Sequence, residues 1–138
     1  MSELRTLRVH LWPEPYGVAT LSVVPEITSW LLPDGPPVSL VVGHDEVSVL
    51  APESVIDALG DAVARHDRGW RALTFDAVFS LSTIGLLAAA TRALAEVGVP
   101  VMVFSSHETD HLLVPAAQIG RTLAALSQAK LERFVGTT

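Results

Sequence analysis

The chain has 138 residues, a net charge of −6, a pI near 5.2 and no cysteine. The last point excludes disulfides, thiolate catalysis and Cys-ligated zinc. With no basic patch, the attraction that dominates binding to nucleic acid or to an anionic membrane surface is missing as well. Hydrophobic residues make up 49% and charged residues 17%, which suits a packed globule of one ordinary domain or two very small ones.

Met1 to Arg8 is polar and charged, without the apolar region of a secretory signal. The longest apolar stretch, near Val97–Phe104, is too short to span a bilayer, so the mean hydropathy of +0.42 reflects strands and core, and a cytoplasmic location is expected. Thr6–Trp12 alternates loosely and stops at the breakers Pro13, Glu14 and Pro15. Gly17–Val23 reads as a strand and Pro25–Leu32 as a short helix, followed by a turn at Asp34–Pro37. Val38–Val42 and Val47–Leu50 flank Gly43–Glu46 as a hairpin, which makes Asp45 and Glu46 solvated turn residues rather than an acid–base pair. From Pro52, apolar residues Val55, Ile56, Leu59 and Val63 recur at helical spacing and predict a helix to about Arg65; a strand follows from Gly69 to Phe79.

The second half repeats this order. Ser82 and Thr83 are expected to cap a helix running to about Val97, and Gly98 falls where a helix C-terminal glycine belongs. Pro100–Phe104 and His111–Val114 read as strands. A last helix starts at Pro115 with Ile119, Leu123 and Leu126 on one face, and Leu131–Val135 is expected to add a closing strand. Strand–helix–strand, strand–helix–strand, twice over, is the split βαβ or ferredoxin-like order. The expected fold class is α+β, with one unit over residues 1–72 and a more regular one over 73–138, the two sharing a core.

His107–Glu108–Thr109–Asp110–His111 matches the H-E-x-x-H zinc signature. That chemistry needs both imidazoles on one helix face, and here the segment lies between two β-rich runs, so a polar turn is the expected reading and no metal is expected. No G-x-S-x-G elbow, G-x-G-x-x-G or P-loop occurs, and no nucleophile or acid–base pair stands out, so no catalysis and no cofactor are expected. Phe79 to Gly85 leads a strand into a helix start through Ser80, Ser82 and Thr83. Free backbone N–H groups there favour an anion such as a carboxylate, and Gly85 permits close approach, although a plain cap with tight packing accounts for the same residues. Asp110, before an apolar strand, is a turn residue or the acceptor for a ligand ammonium. The two features together describe an α-amino acid.

These residues resemble the ACT domain and, more narrowly, the bacterial tandem-ACT proteins related to the CASTOR arginine sensors. Val103–Val114, V-F-S-S-H-E-T-D-H-L-L-V, is similar to that family's I-S-T-[FY]-x-T-D-[YH]-x-L-V block, and the Phe79–Leu86 stretch to its F-S-L-T-G-[IV]-L block. Leu11–Tyr16, Glu46–Val49 and Arg68–Arg71 resemble its L-x-P-x-x-Y/F opening, its D-E-[LIV]-S-[IV] hairpin and its R-G-W-[RK] block. The resemblance implies two βαββαβ ACT units packed side by side, a sensing role without catalysis, and an amino acid held by two loops. Carried over, the ligand-binding positions are Ser105, Ser106, His107, Glu108, Thr109 and Asp110, with Ser80 and Thr83 from the loop before the helix; the helix-start reading adds Ser82 and Gly85. The family's glutamate and glycine in that second loop fall on Thr83 and Ser80, which removes the acid that would face a guanidinium; its threonine and aromatic residue fall on Ser106 and His107. The resemblance also implies a homodimer and a separate regulated protein as partners. The alternative is a ligand-free dimerisation or interaction module.

Overall fold

The computed structural model describes residues 7–26, 34–76 and 84–134. Strands β1 (Arg8–Leu11), β2 (Tyr16–Leu21), β3 (Ser39–Gly43) and β4 (Glu46–Pro52) precede helix α1 (Glu53–Leu59) and the long strand β5 (Val63–Asp76). Helix α2 (Leu86–Glu96), strands β6 (Met102–Ser105) and β7 (Asp110–Pro115), and helix α3 (Ile119–Gln128) complete the order. The expected helix at Pro25–Leu32 and the end of the strand expected to reach Phe79 fall on residues 27–33 and 77–79, outside the described residues.

Contacts divide the chain into two compact units: Pro13–Trp70, and a second made of the residues before Pro13 and after Trp70. The division falls at Trp70, and the first strand goes with the C-terminal half. In the Pro13–Trp70 unit the strand order is β3-β4-β2 followed by the first part of β5, all antiparallel. The hairpin closes on His44 and Asp45, with Gly43 paired to Glu46 and Asp45 at φ 65°. Alternation along β2 and β4 turns Ala19, Leu21, Val49 and Ala51 onto Ile56 of α1, and these make one core cluster.

The C-terminal unit is assembled from β1, the second part of β5, β7 and β6, in that order. Leu73, Phe75, Leu112 and Val114 project from one face of this sheet and pack with Leu86, Ala90 and Leu94 of α2 and with Ala125 and Leu126 of α3. Each unit therefore has its own buried cluster, where a shared core was expected. The apolar side chains of each sheet are consumed by the helices that the same stretch of chain supplies.

Four further expectations are corrected. The strand that completes the C-terminal sheet is β1, paired Arg8 to Asp76 through Leu11 to Leu73, whereas Leu131–Phe134 forms a 3-10 turn that buries Leu131. The helix expected to reach Arg65 stops at Leu59, because Gly60 takes φ 55°, and Val63–Arg65 already belongs to β5. Helix α2 begins at Leu86, so the residue at its cap is Gly85 rather than Ser82 or Thr83. On α3 the buried residues are Thr122, Ala125 and Leu126, and Leu123 is exposed. Among the described residues no helix is long and apolar enough to cross a membrane.

Candidate functional site

The loop between β6 and β7 carries six of the expected positions, and it is folded by its own polar groups. Ser105 and Asp110 face each other across the last rung of the hairpin, where Ser105 Oγ donates to Asp110 Oδ1 at 2.6 Å. Ser106 donates from its backbone N–H to Thr109 O at 2.9 Å, and its hydroxyl points to the same oxygen at 3.3 Å. Thr109 Oγ1 donates to the carbonyl of Phe75 at 2.7 Å, tying the loop to β5. His107 and Glu108 form the exposed outer corner.

The H-E-x-x-H segment thus runs from a turn into a strand. His111 lies in β7, 8% exposed, stacked on its cross-strand partner Phe104 with ring centroids 4.8 Å apart. Burial lowers its pKa below the ordinary histidine value, against the weaker pull of Asp110. Among the described residues no group of three or more His, Asp or Glu side chains is arranged to hold a metal ion.

Ser80, Ser82 and Thr83 lie outside the described residues. Gly85 stands at the start of α2 with φ 95°, and its carbonyl accepts the N–H of Ala89 at 2.9 Å. What approaches Gly85 closely is the Phe134 ring, since a Cβ there would lie 2.9 Å from it.

The structure adds residues that sequence reasoning missed. A concavity of about 450 Å³ in the C-terminal unit is walled by Glu108 and Thr109 of the loop, by Thr74, Phe75 and Asp76 of β5, and by His10 and Trp12. That volume lies in the range of small-molecule sites. Trp12 Nε1 donates to Thr74 Oγ1 at 2.8 Å, and His10 stands edge-on to the indole at 4.5 Å. Arg71 fixes the same corner through two hydrogen bonds to the Trp12 carbonyl, at 3.0 and 2.7 Å. The signal in the sequence was available: His10 and Trp12 alternate onto one face, and Thr74 interrupts the apolar pair Leu73 and Phe75.

The R-G-W-R block is accounted for by the fold. Arg68 binds Asp57 at 2.7 Å and Glu53 at 3.4 Å, pinning α1 to β5, and its pKa is raised chiefly by the bond to Asp57. Gly69, at φ 83°, forms the bulge that shifts the register between Gly17–Arg68 and Tyr16–Trp70.

With this geometry in hand, comparison with known proteins gives a consistent result. Residues 65–128 match the family model described as ACT domain. Among solved structures, Atu0741 from Agobacterium tumefaciens superposes with a TM-score of 0.73 at 28% identity, over 91% of this chain and 90% of that one. VC0802 from Vibrio cholerae gives 0.64 at 22% identity, covering 86% and 85%. The ligand-free regulatory subunit of aspartate kinase from Thermus thermophilus gives 0.63 at 14% identity, covering 89% and 97%. No protein of curated function matches the sequence. Residues 65–128 are thus similar to an ACT domain, and the α+β fold resembles that of the aspartate kinase regulatory subunit.

Proposed function

We propose that this chain is a regulatory module that binds a small metabolite, an amino acid, and has no catalytic activity of its own. The carrying observation is the concavity beside the β6–β7 loop, of whose lining Thr74, Phe75, Asp76, Glu108 and Thr109 fall in the segment matched by the ACT-domain model. Asp110 supplies a carboxylate for the ligand ammonium, and Ser105, Ser106, His107 and Thr109 shape the approach. Ser80, Ser82, Thr83 and Gly85 at the entry to α2 receive the ligand carboxylate. Support for two ferredoxin-like units comes from the matching strand orders, with β1 or β5 outermost beside an inner pair and the hairpin strand at the other edge. In this reading the chain is a bacterial relative of the CASTOR sensors, works in the cytoplasm as a homodimer, and passes its signal to a separate protein.

The test is a thermal-shift screen against the twenty amino acids. A ligand that binds only the folded state, at about 100 times its dissociation constant, adds about 2.7 kcal/mol. One amino acid should raise the melting temperature, and Asp110→Ala should fold normally and lose the response. A wild-type protein that responds to none, or an Asp110→Ala variant that responds as wild type does, overturns the assignment.

A second reading, a ligand-free dimerisation module, is favoured by one feature. The edge strand β6 exposes Met102 and Val103, and an open edge is a template for pairing with another chain. A monomer in sedimentation at micromolar concentration would remove it.

A further inference from the structure

Three side chains of the C-terminal unit, from Trp12 just after β1, Thr74 on β5 and His111 on β7, form a hydrogen-bonded line. Trp12 Nε1 donates to Thr74 Oγ1 at 2.8 Å, and Thr74 Oγ1 lies 2.8 Å from His111 Nδ1. An indole N–H can only donate, so the Thr74 oxygen accepts from Trp12 and its own proton is left for His111. When Thr74 donates that proton to Nδ1, the line runs in one direction, with Nδ1 bare and the imidazole proton on Nε2. Phe104 stacked on the imidazole and the burial of His111 hold the ring in place. Thr74 and Trp12 also line the concavity, and His111 does not.

We propose that Trp12, Thr74 and His111 form a proton-responsive relay in which protonation of His111 turns the Thr74 hydroxyl towards the concavity, giving it one more hydrogen-bond donor. The proton added at Nδ1 makes that nitrogen a donor. Thr74 Oγ1 then accepts from both neighbours, which its two lone pairs permit, and its O–H must find a third partner. Asp76, two residues along β5 and on the same face, and the concavity itself are what lie on that side. The desolvation of His111 and its lowered pKa keep the relay in its neutral arrangement at ordinary pH. The ionisable groups around it are Asp110 on β7, Asp76 on β5, Glu108 in the loop, and Arg8 and His10 on β1. The facing part of β6 presents Phe104 and Ser105, neither of which titrates there. The consequence for a ligand rests on the binding reading above: an acceptor group such as a carboxylate would be held more tightly in acid.

The relay itself is tested on the ligand-free protein, so its failure and that of the binding reading are separate. A His10→Phe variant keeps a ring beside Trp12 and removes its titration. In that variant, nitrogen-15 spectra at neutral pH should show Nε2 of His111 protonated and Nδ1 bare. On acidification the Trp12 indole N–H resonance should move with the same midpoint as the His111 ring. In a further Thr74→Val variant the indole response should be lost while His111 still titrates. Should Thr74→Val fail to fold, Trp12→Phe serves instead: without the competing indole donor, Thr74 accepts better from the imidazolium, and the His111 midpoint should rise. A protonated Nδ1 at neutral pH, an indole resonance that stays flat through the His111 midpoint, or an unchanged midpoint in Trp12→Phe overturns the relay.

Discussion

The two hairpins of the molecule differ in what their loops do. In the Pro13–Trp70 unit, β3 and β4 are joined by His44 and Asp45, whose side chains are 97% and 87% exposed and contact each other at 3.3 Å. In the C-terminal unit the corresponding hairpin carries Ser106–Thr109, bound to itself and, through Thr109, to the carbonyl of Phe75. A minimal turn leaves its polar groups to water, whereas a longer loop tied back to a strand makes a wall. The polar anchoring of the first unit lies elsewhere, in Arg68 holding α1 and in the buried Tyr16 hydroxyl donating to the Pro37 carbonyl at 2.5 Å. Similar strand orders thus yield one hairpin loop that lines a concavity and one that is a minimal exposed turn.

The strongest way to break the comparison is to empty each core in turn. Leu112 and Ile56 are each almost wholly buried, one in each cluster. Leu112→Ala and Ile56→Ala should each cost about 2–5 kcal/mol, from lost transfer energy and the cavity left behind. Native-state hydrogen exchange should show Leu112→Ala lowering protection chiefly in α2, α3, β6 and β7, and Ile56→Ala chiefly in β3 and β4. Equal loss in both units from either change would mean that the clusters unfold as one core.

A smaller effect sharpens it. Gly17 and Gly85 both sit where a methyl group would collide, but for different reasons. At Gly17 the nearest atom is the terminal Cδ1 of Ile56, at 2.7 Å. At Gly85 it is the Phe134 ring, and the backbone there also has φ 95°. Gly17→Ala should cost about 1–3 kcal/mol by overpacking, and Ile56→Val should relieve all but the part owed to the Asp67 carbonyl, 3.1 Å away. Gly85→Ala should cost a similar amount, but Phe134→Leu should relieve only part of it, because a strain of about 1–2 kcal/mol from the left-handed conformation remains. Denaturant midpoints of the two double variants decide this; equal recovery would place the whole Gly85 cost in the ring contact.

The particular residues show what a sequence can reveal. The strands β2, β3, β4, β6 and β7 and the helices α2 and α3 are legible because alternation and helical spacing are local properties of the chain. The turn at Ser106–Thr109 is legible because polar residues interrupt two apolar runs. The fourth strand of the C-terminal sheet is not, because pairing between Arg8 and Asp76 is decided by tertiary contact. Thr6–Trp12 and Leu131–Val135 look equally suited to that place. Val63–Arg65 reads as helix because Val63 continues the apolar spacing of α1, and the local signal that overrules it, Gly60, is a single residue. The concavity escaped for the reason the fourth strand did: its wall brings Trp12 to Thr74 across a separation of 62 residues.

The finest distinction between the units is electrostatic, and it separates them by the sign of their pH response. His111 in the C-terminal unit has its pKa lowered by burial, so the fold favours the neutral ring. Its contribution is complete above about pH 6.5, the ordinary histidine value, and is lost as pH falls below it, because the unfolded chain takes up the proton first. Tyr16 in the other unit has its pKa raised, first by burial and then by Glu14. Its contribution is complete below about pH 10 and is lost as pH rises beyond it, because the unfolded phenol ionises first. Thermal melts across the pH range should therefore show His111→Asn flattening the acid limb and leaving the alkaline limb as it was. Tyr16→Phe should lower stability at neutral pH by about 0.5–1.5 kcal/mol, the loss of one hydrogen bond, and flatten the alkaline limb alone. If both variants flattened the same limb, the two units would not differ in the sign of their pH response. If each flattens its own, acid acts on the unit that holds the concavity, and alkali on the unit whose hairpin carries only a turn.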